Sequence, residues 1–97
     1  MNYQIKLTPT ALNDLQNAIE FYNEQQKGLG KRFRTAAKRM FTQIKKFPKA
    51  GSFIYDEVRF RVLNKFPFII LYEIIDRKTI AVYRVFHTSL EPFWEKN

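Results

Sequence analysis

Residues 66–87 read FPFIILYEIIDRKTIAVYRVFH. Phe66 to Ile75 is almost wholly apolar and rich in β-branched and aromatic side chains, as a central strand requires. Pro67 cannot donate to a strand ladder, so it fits only at the beginning of that strand. Asp76-Arg77-Lys78 forms a tight turn, and Thr79 to His87 returns as a second strand. Two residues stand out against this pattern. Arg84 sits in the middle of the apolar run, and His87, the protein's one histidine, stands at its end.

Working outward, Val58, Phe60 and Val62 alternate with Arg59, Arg61 and Leu63. That alternation predicts a strand with one packed face and one face turned to water or a ligand. Lys49 to Ser52 reads as a loop. At the other end of the chain, Tyr3 to Leu7 alternates apolar and polar side chains as a half-buried strand does. Thr8-Pro9 then supplies an N-cap and a proline at the first helical position. Ala11, Leu12, Leu15, Ala18, Ile19 and Tyr22 recur at helical spacing. Leu29, Phe33, Ala36, Ala37, Met40, Phe41, Ile44 and Phe47 form a second apolar stripe, closed by Pro48. Two helices joined by a few residues pack as an antiparallel hairpin. The order is β-α-α-β-β-β, an α+β fold. Its N-terminal strand and helical hairpin belong with a mainly antiparallel sheet, the hairpin on one face. Residues 1–97 form a single domain, without repeat, linker or low-complexity segment.

Composition narrows the function. Ninety-seven residues with 45% apolar content suffice for one core, though a chain this short has modest stability. With no cysteine there is no disulfide or thiolate metal site, and one histidine leaves a nitrogen-ligated zinc short of partners. No cofactor is expected. No run approaches the ~18 apolar residues of a membrane span, and no signal peptide opens the chain, so a cytoplasmic protein without a membrane partner is expected. The charge is uneven. Lys+Arg number 17 against 9 Asp+Glu, a net +8, and residues 27–49 hold nine basic side chains and no acid. Such a block favours a polyanion or an acidic protein partner over a merely solvated basic helix face.

Most catalytic signatures are missing. Gly28-Leu29-Gly30 lies between two helices, where glycine's tolerance of positive φ explains it without a phosphate loop. No serine has a base beside it, and Asp56 and Glu57 point apart if that segment is extended. What remains is a set of strand-borne cations. Period-2 counting puts Ile80, Val82, Arg84 and Phe86 on one face of the last strand, and Ala81, Tyr83, Val85 and His87 on the other. Arg84 cannot stay unpaired in a dry core. It either pairs with Glu73 or snorkels from an edge, or it joins Arg61 on an exposed sheet face to grip phosphates. His87 is either a local hydrogen-bonding residue or a general acid–base group. With arginines beside it, metal-free RNA cleavage by the substrate's own 2′-hydroxyl is chemically feasible. A joint site with Arg84 requires a bulge, because the two have opposite parity. Lys49, Arg59 and Trp94 are the further candidates for contact with RNA or a partner, and Phe93 and Trp94 lie beyond the last strand.

The helix phrase ALNDLQNAIEFYNEQQKGLGKRF, the strand phrase FRVLNKFPFIILYEI and the closing VYRVFHTSLEPFW occur in the order β-α-α-β-β-β. Together they resemble the RelE/ParE superfamily of bacterial toxins from type II toxin–antitoxin pairs, over residues 3 to 94. GLGKRF and HTSLEPFW look more like the ParE branch. The resemblance implies a toxin neutralised by a cognate antitoxin, in a hetero-oligomer. Its ParE branch implies inhibition of DNA gyrase by protein binding. Its RelE branch implies ribosome-dependent mRNA cleavage, with Arg61, Arg84 and His87 as the matching catalytic set. A non-toxic antitoxin-binding member is the third possibility. Two departures bear on the choice: Phe66 to Ile75 contributes no cation, and Leu90 stands where ParE-like sequences commonly have an arginine.

Overall fold

A computed structural model describes residues 3–90. Strand β1 (Gln4–Leu7) leads into helix α1 (Pro9–Gln25), and helix α2 (Leu29–Lys46) follows it. A single 3₁₀ turn (Pro48–Ala50) then precedes β2 (Ser52–Tyr55), β3 (Val58–Val62), β4 (Phe68–Ile74) and β5 (Thr79–His87). The five strands form one sheet in the order β1-β5-β4-β3-β2. β1 runs parallel to β5 and every other pairing is antiparallel. No helix among the described residues is long and apolar enough to cross a membrane.

Local chemistry sets the element boundaries. Thr8 Oγ1 accepts the Ala11 N–H at 3.0 Å, and Pro9 opens α1 where its missing N–H costs nothing. Gly28 caps α2 at φ +86°, a conformation that suits glycine. Gly30 is glycine for a different reason than the expected positive φ. It lies inside α2 where the helices cross, and a Cβ there would collide with the Ile19 carbonyl and the Asn23 side chain. Its N–H donates to Asn23 Oδ1 at 3.0 Å.

β4 is apolar from Phe68 to Leu71, and buried through Tyr72, because both of its faces are covered. Phe68, Ile70 and Tyr72 join the core under the hairpin, with Ala11, Phe33, Ile44, Ile80, Val82 and Val85. Within it Tyr22, Phe33, Phe66 and Phe68 stack tilted or edge-on, with ring centroids 4.8–6.2 Å apart. Ile69 and Leu71 join a second cluster on the opposite face, with Val58 and Phe86. Each fully buried side chain of this size contributes roughly 1.5–3 kcal/mol.

The strands differ from the sequence reading in two places. Ser52, expected at the end of a loop, opens the edge strand Ser52–Tyr55, which the sequence reading does not contain and which has an irregularity between Phe53 and Tyr55. Asp56, at φ +45°, turns it into β3, so Asp56 and Glu57 occupy a turn and not an extended segment. The second difference lies in β5. Leu71 pairs with Arg84 but Tyr72 pairs with Val82, which leaves Tyr83 as an extra residue. That bulge reverses the parity of everything after it. Val85 and His87 therefore share the hairpin face with Ile80 and Val82, while Arg84 and Phe86 lie on the other.

Candidate functional site

β5 extends beyond its neighbour. β1 pairs only with Thr79 to Val82, and the edge of β5 beyond that point is taken over by α1. Thr8 N–H donates to the Val82 carbonyl at 3.0 Å, and Thr8 Oγ1 donates to the Tyr83 carbonyl at 3.1 Å. The Val85 N–H donates to Asp14 Oδ2, also at 3.1 Å. Arg84 sits between these contacts and grips the same carboxylate. Its Nε lies 2.6 Å from Asp14 Oδ2 and its NH2 donates to Asp14 Oδ1 at 3.1 Å. This is a bidentate guanidinium–carboxylate pair. The Asp14 side chain is only 14% exposed and that of Arg84 28%, so the pair is partly withdrawn from water. Arg84 Cζ also lies 5.4 Å from the Phe86 ring centroid.

The expected partner, Glu73, is engaged elsewhere. Its Oε1 accepts the Tyr83 hydroxyl at 2.7 Å. That bond, with burial and the carboxylate's charge adding to it, pushes the Tyr83 hydroxyl up to about 12. Burial also raises Tyr55, with Asp56 and Glu73 contributing. The bulge thus separates two carboxylates: Asp14 takes the guanidinium and Glu73 takes the phenol.

Arg59 and Arg61 face the other way. Their register partners are Tyr72 and Ile70, so both lie on the hairpin side of the sheet. Arg59 NH1 donates to the carbonyls of Lys49 at 3.1 Å and Gly51 at 2.8 Å, and its Cζ stacks 4.0 Å from the Phe53 ring centroid. It ties the 3₁₀ turn and β2 to β3. Lys49 contributes its carbonyl to this tie and keeps its side chain exposed. Arg61 and Arg84 extend from opposite faces of the sheet and do not form a shared phosphate grip.

His87 pairs with Phe68 on the hairpin face, its ring edge-on to the phenyl at 4.9 Å between centroids. It therefore shares a face with Arg61, but β4 lies between their strands. Two strand spacings separate them by on the order of 10 Å. His87 Nδ1 accepts the Ser89 N–H at 3.0 Å and meets Ser89 Oγ at 2.6 Å. The turn after β5 is thereby closed on the imidazole, the local hydrogen-bonding role open to it from sequence. Arg61, Arg84 and His87 do not converge. Phe93 and Trp94 lie outside the described residues. Among the described residues no three His, Cys, Asp or Glu side chains cluster closely enough to hold a metal ion.

Residues 5–91 match the family described as the ParE toxin of type II toxin–antitoxin systems, parDE. The chain belongs to the ParE toxin family. Among solved structures, a chain of the chromosomal ParDE toxin–antitoxin system from P. aeruginosa superposes with a TM-score of 0.65 at 20% identity. The match covers 88% of this chain and 95% of that one. A chain of the RelBE2 toxin–antitoxin complex from Mycobacterium tuberculosis superposes with a TM-score of 0.62, also at 20% identity. Here 90% of this chain and 99% of that one are covered. At that identity the likeness establishes the α+β fold that the two share. Among curated proteins, none matches. The ParE-family assignment makes this chain the toxin member of a type II pair and agrees with the RelE/ParE resemblance of its three phrases.

Proposed function

We propose that this ParE-family toxin acts by binding and not by cleavage. It inhibits DNA gyrase through protein contact in the cytoplasm, and a cognate antitoxin neutralises it in a hetero-oligomeric complex. Both structural neighbours come from toxin–antitoxin assemblies, which supports the antitoxin partner. The observation that carries the binding reading is the bidentate pairing of Arg84 with Asp14. A guanidinium already matched to a carboxylate is a poor catalyst for phosphoryl transfer, because breaking that pair offsets what the phosphate would contribute. The other strand cations stand apart from it, and His87 Nδ1 is occupied by Ser89.

Induction of the toxin without antitoxin tests this reading. The expected result is a DNA-damage response and arrest with intact mRNA, together with inhibition of supercoiling by purified gyrase. Rapid translation arrest with mRNA cut in the ribosomal A site, abolished by His87→Ala or Arg61→Ala, would establish the RelE-like nuclease instead. Normal growth of expressing cells would mark a non-toxic, antitoxin-binding member.

A further inference from the structure

Helix α2 carries a pair of cations every seven residues: Lys31-Arg32, Lys38-Arg39 and Lys45-Lys46. Seven residues are almost two helical turns, so the pairs stay on one side of the helix, about 10.5 Å apart along its axis. Neighbouring residues diverge by about 100°, which splits each pair to either side of a crest. Two parallel rows result, Lys31, Lys38 and Lys45 on one flank and Arg32, Arg39 and Lys46 on the other. Thr35 and Thr42 occupy the crest between them. All of these residues are exposed and none is apolar. Among the described residues none of these cations forms a salt bridge. Helix electrostatics accounts for one pair only. Lys45 and Lys46 suit the negative end of the helix dipole, whereas Lys31 and Arg32 stand in the first turn, where cations are unfavourable and no acid balances them.

We propose that this face of α2 binds duplex DNA along its phosphate backbones, without regard to base sequence. Protein interfaces have a desolvated core rich in apolar and aromatic side chains, and the crest of α2 offers none. DNA interfaces are polar and strongly cationic, as this face is. The two rows stand on the order of 10 Å apart at their tips, near the roughly 12 Å width of the B-form major groove, so each row meets the phosphates of one strand. Duplex RNA has a deep, narrow major groove instead and does not admit the helix. The crest is poorly equipped to read bases. Thr42 Oγ1 donates back to the Lys38 carbonyl at 3.2 Å, which engages its hydroxyl proton within the helix. DNA binding along α2 does not depend on gyrase being the target.

Fluorescence anisotropy of a labelled DNA duplex of about 20 base pairs, titrated with the full chain free of antitoxin, provides the test. Affinity should fall with salt at a log–log slope of about −5, the value for six phosphate contacts. Removing either row, as K31Q with K38Q and K45Q or as R32Q with R39Q and K46Q, should make the slope shallower by about 2.7. Each triple variant should also bind at least roughly tenfold more weakly at about 0.1 M salt. Arg77→Gln with Lys78→Gln, outside both rows, should change binding by less than about threefold. Duplexes of unrelated sequence should bind alike. A duplex RNA and a polyglutamate of matched charge should each bind at least roughly tenfold more weakly than the DNA. A wild-type slope shallower than about −2, indifference to the loss of either row in folded variants, or equal or tighter binding of the RNA or the polyglutamate would each overturn the proposal.

Discussion

Asp14 on α1 and Arg84 on β5 are 70 residues apart in sequence and joined by two hydrogen bonds through one carboxylate and one guanidinium. The same carboxylate also receives the Val85 N–H, so Asp14 serves as the missing strand neighbour for the end of β5. Loss of the two partners should therefore be unequal. Asp14→Ala leaves both a guanidinium and a backbone N–H without their acceptor, an expected loss of about 2–3 kcal/mol. Arg84→Ala leaves the carboxylate still bonded to Val85 N–H and should cost about 1–2 kcal/mol. Arg84→Lys should recover only part of this, because an ammonium cannot reproduce the bidentate fork. Urea unfolding of the purified variants measures all three, and a larger loss for Arg84→Ala than for Asp14→Ala would refute the edge-capping role of Asp14.

The Tyr83–Glu73 bond carries a pH signature. The Tyr83 hydroxyl is raised from its ordinary value near 10 to about 12 in the folded protein, first by the bond to Glu73. Because the folded value is the higher one, this contribution is fully present below pH ~10 and is lost as pH rises through ~12. Glu73→Gln removes the carboxylate that favours the protonated phenol, so the phenol should ionise at lower pH. Absorbance at the tyrosinate band, followed against pH in the native protein, reads this directly. Tyr83→Phe should delete the same step, and identical alkaline titrations for wild type and Glu73→Gln would count against it.

How much of this was legible in the sequence follows from the range of the forces involved. The two helices, Thr8-Pro9, the proline at the head of β4 and the Asp76 turn are set by neighbours a few residues away. The turn is a case in point: Lys78 N–H donates to Asp76 Oδ1 at 2.8 Å, which holds the Asp76 carboxyl below its usual range. The β5 bulge could not be counted from a period of two, because it depends on where α1 meets the edge of the strand. β2 is not legible in the sequence, because four residues with an irregular register carry almost no periodic signal. The Arg84 partner did leave a trace. Asp14 stands three residues after Ala11 and four before Ala18, both buried, so it is an acid on the inner stripe of α1. A lone acid in an apolar helical stripe and a lone cation in an apolar strand predict each other. Glu73 is nearer to Arg84 in sequence, but nearness in sequence does not decide a long-range pair.

Gly51 marks a second tight point of the fold. Tyr72, fully buried, donates its hydroxyl to the Pro48 carbonyl at 2.7 Å, and a Cβ at position 51 would overlap that hydroxyl. Gly51→Ala should therefore cost about 2 kcal/mol, through displacement of Tyr72 from its acceptor. Tyr72→Phe removes the obstructing atom, so the same glycine substitution should cost less in that background. A double-mutant cycle in thermal or urea unfolding isolates the coupling. Additive losses would mean that the strain at position 51 comes from the Phe60 carbonyl alone.

His87 offers the sharpest distinction between the two activities. A catalytic imidazole needs a ring nitrogen aimed at the reacting proton and a cation beside the phosphate. The β5 bulge puts Arg84 on the opposite face, Arg61 lies across β4, and the Nδ1 of His87 is held by Ser89. The ring's remaining visible work is its edge contact with Phe68, worth about 0.5–1.5 kcal/mol. His87→Ala should thus lower stability by about 1 kcal/mol while leaving growth arrest at matched expression within about twofold of wild type. Ser89→Ala should cost less, since it removes only the Oγ contact and leaves the Ser89 N–H bond and the Phe68 contact in place. Primer extension on mRNA from induced cells supplies the independent readout. Cleavage that vanishes in His87→Ala but persists in Ser89→Ala would assign the imidazole a chemical role that its position on the sheet argues against.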